Sequence, residues 1–143
     1  MRVTMNSALF CRIAAPGVVA SGLLLGQAFP SLSAELDGAW INDRDVCEKV
    51  FTQKDGKLWL AQAADFYGSG FVIDGSTIRG KSAICKVRTM TKKGNKIHIS
   101  ARCATDVMVS NSQFDLTSGT DGRLTRSFSG MPEMTMDYFR CAF

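Results

Sequence analysis

From Lys54 to Gly122 the chain is punctuated by glycine-bearing turns at short intervals. Lys54-Asp55-Gly56-Lys57, Tyr67-Gly68-Ser69-Gly70, Asp74-Gly75-Ser76, Lys93-Gly94-Asn95 and Gly119-Thr120-Asp121-Gly122 all have the composition that reverses an extended chain. Between and beyond them lie β-rich runs: Lys57–Ala61, Gly70–Asp74, Ala83–Met90, Lys96–Cys103, Ser112–Thr117, Arg123–Ser129 and Thr135–Cys141. No long amphipathic helix separates these runs, so parallel crossovers have nothing to run through. Short strands joined by tight turns predict an all-β fold, a small antiparallel meander barrel of about seven or eight strands. One short helix is expected near the start. Asp43 would cap it, and Val46, Cys47, Val50 and Phe51 would share its buried face.

The first thirty-three residues have a different character. Arg2 and Arg12 flank a basic start, and the 22 residues from Ile13 to Ala34 carry no charge. The apolar centre is Val18–Leu25, and small residues follow at Ser31-Leu32-Ser33-Ala34 before Glu35. This is the layout of a secretory signal, with cleavage after Ser33 or Ala34. Leu32 disfavours the second cut, which makes residues 1–33 the leader and 34–143 a single domain. An uncleaved anchor is the alternative, because the uncharged run is just long enough to span a bilayer. Pro16, Gly17, Gly22 and Gly26 weaken such a helix. After cleavage no transmembrane span is expected. Loss of Arg2 and Arg12 lowers the formal charge from +4 to +2, so the basic balance of the whole chain is no sign of global nucleic-acid affinity.

The leader also takes Cys11, leaving Cys47, Cys85, Cys103 and Cys141. An even count in an exported domain of this size reads as two disulfides. Four cysteines allow three pairings, and the sequence alone does not choose among them. A hairpin centred on Gly94 sets Cys85 and Cys103 at equal distances and face to face. Cys47 would then pair with Cys141. A register slip of two residues would undo this pairing. In the same hairpin the odd positions Cys85, Val87, Thr89, Ile97, Ile99, Ala101 and Cys103 make an apolar face. The even positions Lys86, Arg88, Lys96, His98, Ser100 and Arg102 make a basic face toward water, with Met90 the exception and Lys92 and Lys93 extending the stripe.

The domain opens with Glu35-Leu36-Asp37-Gly38-Ala39-Trp40. A Gly-x-Trp leading into an antiparallel meander resembles the lipocalin-like (calycin) barrels, in which the Trp closes one end and a basic residue from the last strand packs over it. Arg140 would take that part. With a cysteine soon after the Trp, the opening also resembles the exported metalloprotease inhibitors, although those usually carry one bridge. The wider layout is Cys47 to Phe51, Phe71-Val72-Ile73-Asp74-Gly75, three further cysteines and Met131-Pro132-Glu133-Met134. It is similar to uncharacterised small exported four-cysteine proteins of alphaproteobacteria, a resemblance that implies a shared fold and export but no activity.

Catalytic signals are absent from the sequence. There is one histidine, no Gly-x-Ser-x-Gly and no Cys-x-x-Cys. His98 reads as a surface residue, and Asp43, Asp45 and Glu48 as helix-start carboxylates. Met131, Met134 and Met136 carry soft sulfur suited to Cu(I), but methionine more often fills gaps in small cores. No cofactor or metal is therefore expected. The sequence points to a non-enzymatic binding module, periplasmic or secreted, that takes a protein in inhibitor fashion or a small apolar ligand in the barrel mouth. A structural envelope protein without a specific ligand is the alternative. Phe66, Tyr67 and Phe71, near the Gly-rich turn, are candidates for the mouth. Lys86, Arg88, His98 and Arg102 are candidates for contact with an exported protein or an anionic envelope component. No aromatic residues interleave with these charges, which argues against nucleic acid.

Overall fold

The computed structural model describes residues 31–143. Residues 1–30 of the expected leader, Cys11 included, lie outside the described residues. Eight antiparallel strands close into a barrel. They are β1 (Gly38–Ile41), β4 (Gly70–Asp74), β5 (Thr77–Gly80), β6 (Ile84–Lys93), β7 (Lys96–Ala104), β8 (Val109–Ser118), β9 (Leu124–Phe128) and β10 (Met131–Arg140). Each strand from β4 to β10 pairs with the next, and β1 closes the circle by pairing with both β4 and β10. The expected meander barrel is therefore present, but the run Lys57–Ala61 is not part of it. That run forms β3 (Lys57–Leu60), which pairs with β2 (Phe51–Lys54) in a separate two-stranded ribbon.

The short helix also forms, in two pieces. Asp43 accepts a hydrogen bond from the Asp45 amide at 3.0 Å and starts a 3-10 turn, Arg44–Val46, that runs into α2 (Cys47–Val50). Phe51 was expected on the helix face. It begins β2 instead, because the chain must turn extended there to enter the ribbon.

Two apolar clusters follow from this path. The first fills the barrel and includes Trp40, Ile73, Ile97, Ile99, Leu116, Leu124 and Tyr138. The second lies outside the wall, where the excursion 42–69 folds back over β1 and β4. It joins Val50, Phe51 and Ala64 to Ala39, Ile41 and Val72. Burying Phe51 and Val50 fully would each contribute about 1.5–3 kcal/mol. The Cys47–Cys141 disulfide ties this outer layer to the end of the chain, and Cys85–Cys103 joins β6 to β7.

The second bridge depends on a register irregularity in the β6–β7 ladder. The turn Gly94-Asn95 pairs Lys93 with Lys96, and an uninterrupted ladder from there would set Cys85 opposite Ala104. A bulge between Val87 and Thr89 absorbs one residue and restores Cys85 opposite Cys103. It also reverses the faces beyond it. Thr89, expected inside, is exposed and lies beside Ser100, whereas Met90 turns in beside buried Ile99. Lys92, expected on the outer stripe, lies opposite buried Ile97, and its ammonium meets the Glu35 carboxylate at 2.6 Å.

The barrel end bearing that ion pair is closed. Helix α1 (Leu32–Leu36) leads into it, capped by the Ser31 side chain. Trp40 is buried and donates its indole N–H to the Leu36 carbonyl at 2.8 Å. Arg140, paired with Trp40 across β1 and β10, lays its guanidinium 4.7 Å from the indole centroid and donates to the Glu35 carbonyl. Both expected cleavage points fall within α1, and Glu35 and Leu36 lie beyond the earlier one.

Candidate functional site

Side-chain size explains why the barrel is solid at one end and hollow at the other. Toward the closed end the inner positions carry Trp40, Leu36, Ile97, Leu116 and Leu124. Toward the opposite end the ladder places Gly80, Cys85, Cys103, Ser110 and Ser112 on the inner face. These small residues leave a cavity of about 400 Å³. Phe71, Ile73, Ile78, Ile99 and Phe114 wall it, and Ser69, Thr105, Ser110 and Ser112 supply its polar atoms. Phe71 packs edge-on against Tyr138 with ring centroids 4.9 Å apart. The Tyr138 hydroxyl donates to the Met136 thioether at 2.9 Å, a weak acceptor.

One cation enters this apolar space. Arg126 lies opposite Leu116 on β8 and Met136 on β10, both inner residues, so its side chain projects into the barrel. Its guanidinium sits 4.8 Å from the Phe114 centroid and 4.6 Å from the Phe128 centroid. Its Nε is buried without a hydrogen-bond partner. Among the described residues no carboxylate pairs with it; the arginine ion pairs involve Arg79 and Arg123. Sequence reasoning passed over Arg126. The signal was its phase: Leu124, Arg126 and Phe128 alternate on one face, which sets a charge in an apolar row.

The residues singled out in the sequence divide between three places. Phe71 is in the cavity wall. Phe66 is 87% exposed in the loop before β4. Tyr67 lies outside the barrel, with the Lys49 ammonium 5.3 Å from its ring. Lys86, Arg88 and Arg102 are exposed on the outer face, where Lys86 stands directly opposite Arg102 and donates to Thr77 Oγ1 at 2.8 Å. Among the described residues none of these three has a carboxylate partner. His98 lies further along the same face, its Nδ1 2.6 Å from Asp115 Oδ1. Ser127 is the next residue in that row, across Asp115. His98, Asp115 and Ser127 thus lie in one row across three strands, with the carboxylate residue between the other two.

At the open end exposed apolar residues occur in the connections, Phe66 before β4 and Val107 and Met108 between β7 and β8, and at the first positions of strands, Ile84 on β6, Val109 on β8 and Met131 on β10. Val107 is 90% exposed. None of these side chains lines the cavity, and Ile84 and Val109 are out of phase with the inner residues Cys85 and Ser110, so they point away from the barrel interior. The chain matches no protein-family model, no curated protein and no solved structure.

Proposed function

We propose that this chain is an exported, non-catalytic binding protein that carries a small apolar ligand inside its barrel. The observation that carries this reading is the cavity of about 400 Å³ beneath the open end. Small-molecule sites typically occupy about 300–1,000 Å³ and are mostly apolar with a few polar groups. Larger side chains at Ser110 and Ser112 would fill the space and add burial, so an open cavity is a feature with a cost in stability. Thr105 of the β7–β8 connection lines the cavity, and the same connection exposes Val107 and Met108, apolar surface at the open end. Two disulfides fit an oxidising compartment, and no helix among the described residues is long and apolar enough to cross a membrane. We place the protein in the periplasm or outside the cell.

The test uses the disulfide-intact protein and the neutral, apolar fluorophore N-phenyl-1-naphthylamine. One equivalent should bind with an emission blue shift. Ser112→Trp, which puts an indole into the cavity, should abolish binding while leaving the far-UV spectrum intact. Failure of the wild-type protein to bind the fluorophore would overturn the reading. A protein partner is the second reading, favoured by the exposed Val107 and Met108 of the β7–β8 connection. It predicts that Val107→Ser and Met108→Ser together release a captured partner while leaving the cavity able to bind the fluorophore.

A further inference from the structure

We propose that the ligand of this cavity is an amphipathic monoanion, a carboxylate on an apolar tail, and that Arg126 is its counter-charge. This rests on the cavity reading above and names the chemical class of the occupant. A guanidinium on the inner face of a barrel is normally matched by a carboxylate, because a charge removed from water needs a partner. Here the surrounding inner positions are apolar or hydroxyl-bearing, and no described acidic side chain answers it.

Phe114 and Phe128 lie close to the guanidinium and restrict where the side chain can sit. Cation–π contact holds such a group in place but satisfies none of its N–H donors. Its Nε–H is buried and unbonded, as are those of Arg79 and Arg123, but of these three arginines it is Arg126 that lines the cavity. A second donor lines the same cavity. Tyr138 Oη reaches Met136 Sδ, and Met136 is the direct cross-strand neighbour of Arg126. A hydroxyl whose present acceptor is a thioether gains by turning to a carboxylate oxygen. One cation and one hydroxyl match a singly charged head group. The wall formed by Phe71, Ile73, Ile78 and Ile99 accommodates a tail.

The experiment compares decanoate with decan-1-ol, which share a tail and differ in head-group charge, as displacers of N-phenyl-1-naphthylamine from the disulfide-intact protein at pH 7.5. The wild-type protein should favour decanoate by about ten-fold or more, the scale of one charge-assisted hydrogen-bonded contact. Arg126→Met should bring the two affinities together by weakening decanoate alone, and Arg126→Lys should retain part of the preference. Should Arg126→Met fail to fold, Arg126→Gln serves in its place, and the wild-type ratio needs no variant. Equal binding of acid and alcohol by the wild type would overturn this inference while leaving the cavity reading intact. So would a preference that survives Arg126→Met. Absence of binding by fluorophore, acid and alcohol would overturn both.

Discussion

Removing the Cys47–Cys141 bridge should destabilise this protein more than removing Cys85–Cys103, although the second lies in the barrel and the first only fastens its outer layer. The bridges span sequence separations of 94 and 18 residues. A cross-link lowers the entropy of the unfolded chain by an amount that grows with the logarithm of the closed loop, giving about 4.7 kcal/mol for the long loop and about 3.2 kcal/mol for the short one. The difference of about 1.5 kcal/mol exceeds the scatter of a careful urea titration. Local structure favours the same order. The short bridge adds to a hairpin whose strands already pair along their whole length, whereas Cys47 and Cys141 are far apart in the chain and meet across the second apolar cluster. Urea unfolding of Cys47→Ala/Cys141→Ala and Cys85→Ala/Cys103→Ala, each with its other bridge intact, measures the two costs. Trp40 fluorescence would report the barrel and Trp59 the ribbon. Equal costs, or a greater cost for the hairpin bridge, would refute loop closure as the dominant contribution of these disulfides.

Gly70→Ala should destabilise by about 1–3 kcal/mol, seen as a lower urea midpoint with unchanged slope. A Cβ there would stand 2.7 Å from Phe51 Cζ and 3.1 Å from the Trp40 carbonyl oxygen, at the seam between barrel wall and outer layer. Arg140→Met keeps the stem over Trp40 but loses the cation–π contact and the bond to the Glu35 carbonyl, for a loss of about 1–2 kcal/mol and a shifted Trp40 emission. The Lys92–Glu35 pair is partly exposed, so a double-mutant cycle with Lys92→Met and Glu35→Gln should return less than about 1 kcal/mol, falling further with salt. Lys86→Glu and Arg102→Glu, made together on the exposed outer face, should leave stability within about 0.5 kcal/mol and fluorophore binding unchanged.

Much of the architecture is legible in residue order, and its gaps have physical causes. Glycine turns and alternating runs locate most of the barrel strands because a half-buried strand leaves a period of two in the sequence. β5 escapes notice because Thr77-Ile78-Arg79-Gly80 is too short to show a period. The ribbon β2–β3 has the same turn chemistry as a barrel hairpin, and nothing local tells that it lies outside the wall. The disulfide pairing follows from the central hairpin only because a bulge cancels the one-residue offset of the Gly94-Asn95 turn. Val87-Arg88-Thr89 carries no glycine or proline to mark that bulge. The long-range consequence, Cys85 facing Cys103, is more visible than its local cause.

The site is less legible because a cavity is made by what inner positions lack. Ser110 and Ser112 look like ordinary strand serines, and Gly80 like the end of a turn. Only the pairing β5-β6-β7-β8 brings these small residues into one layer above the filled end of the barrel. The outer basic face was easy to see because lysines and arginines alternate with apolar residues in a single segment. A cation on that face is cheap to keep in water and says little about a ligand. Arg126 stands in the opposite phase, between Leu124 and Phe128, where desolvation is unfavourable unless an anion or a ring compensates. For a barrel chain of this kind the informative charge is therefore the one that breaks the alternation. Lys92 breaks it at the closed end and has Glu35 as its partner. Arg126 breaks it beside the cavity, where its partner among the described residues is aromatic. That contrast separates a structural ion pair from a charge left available to a ligand.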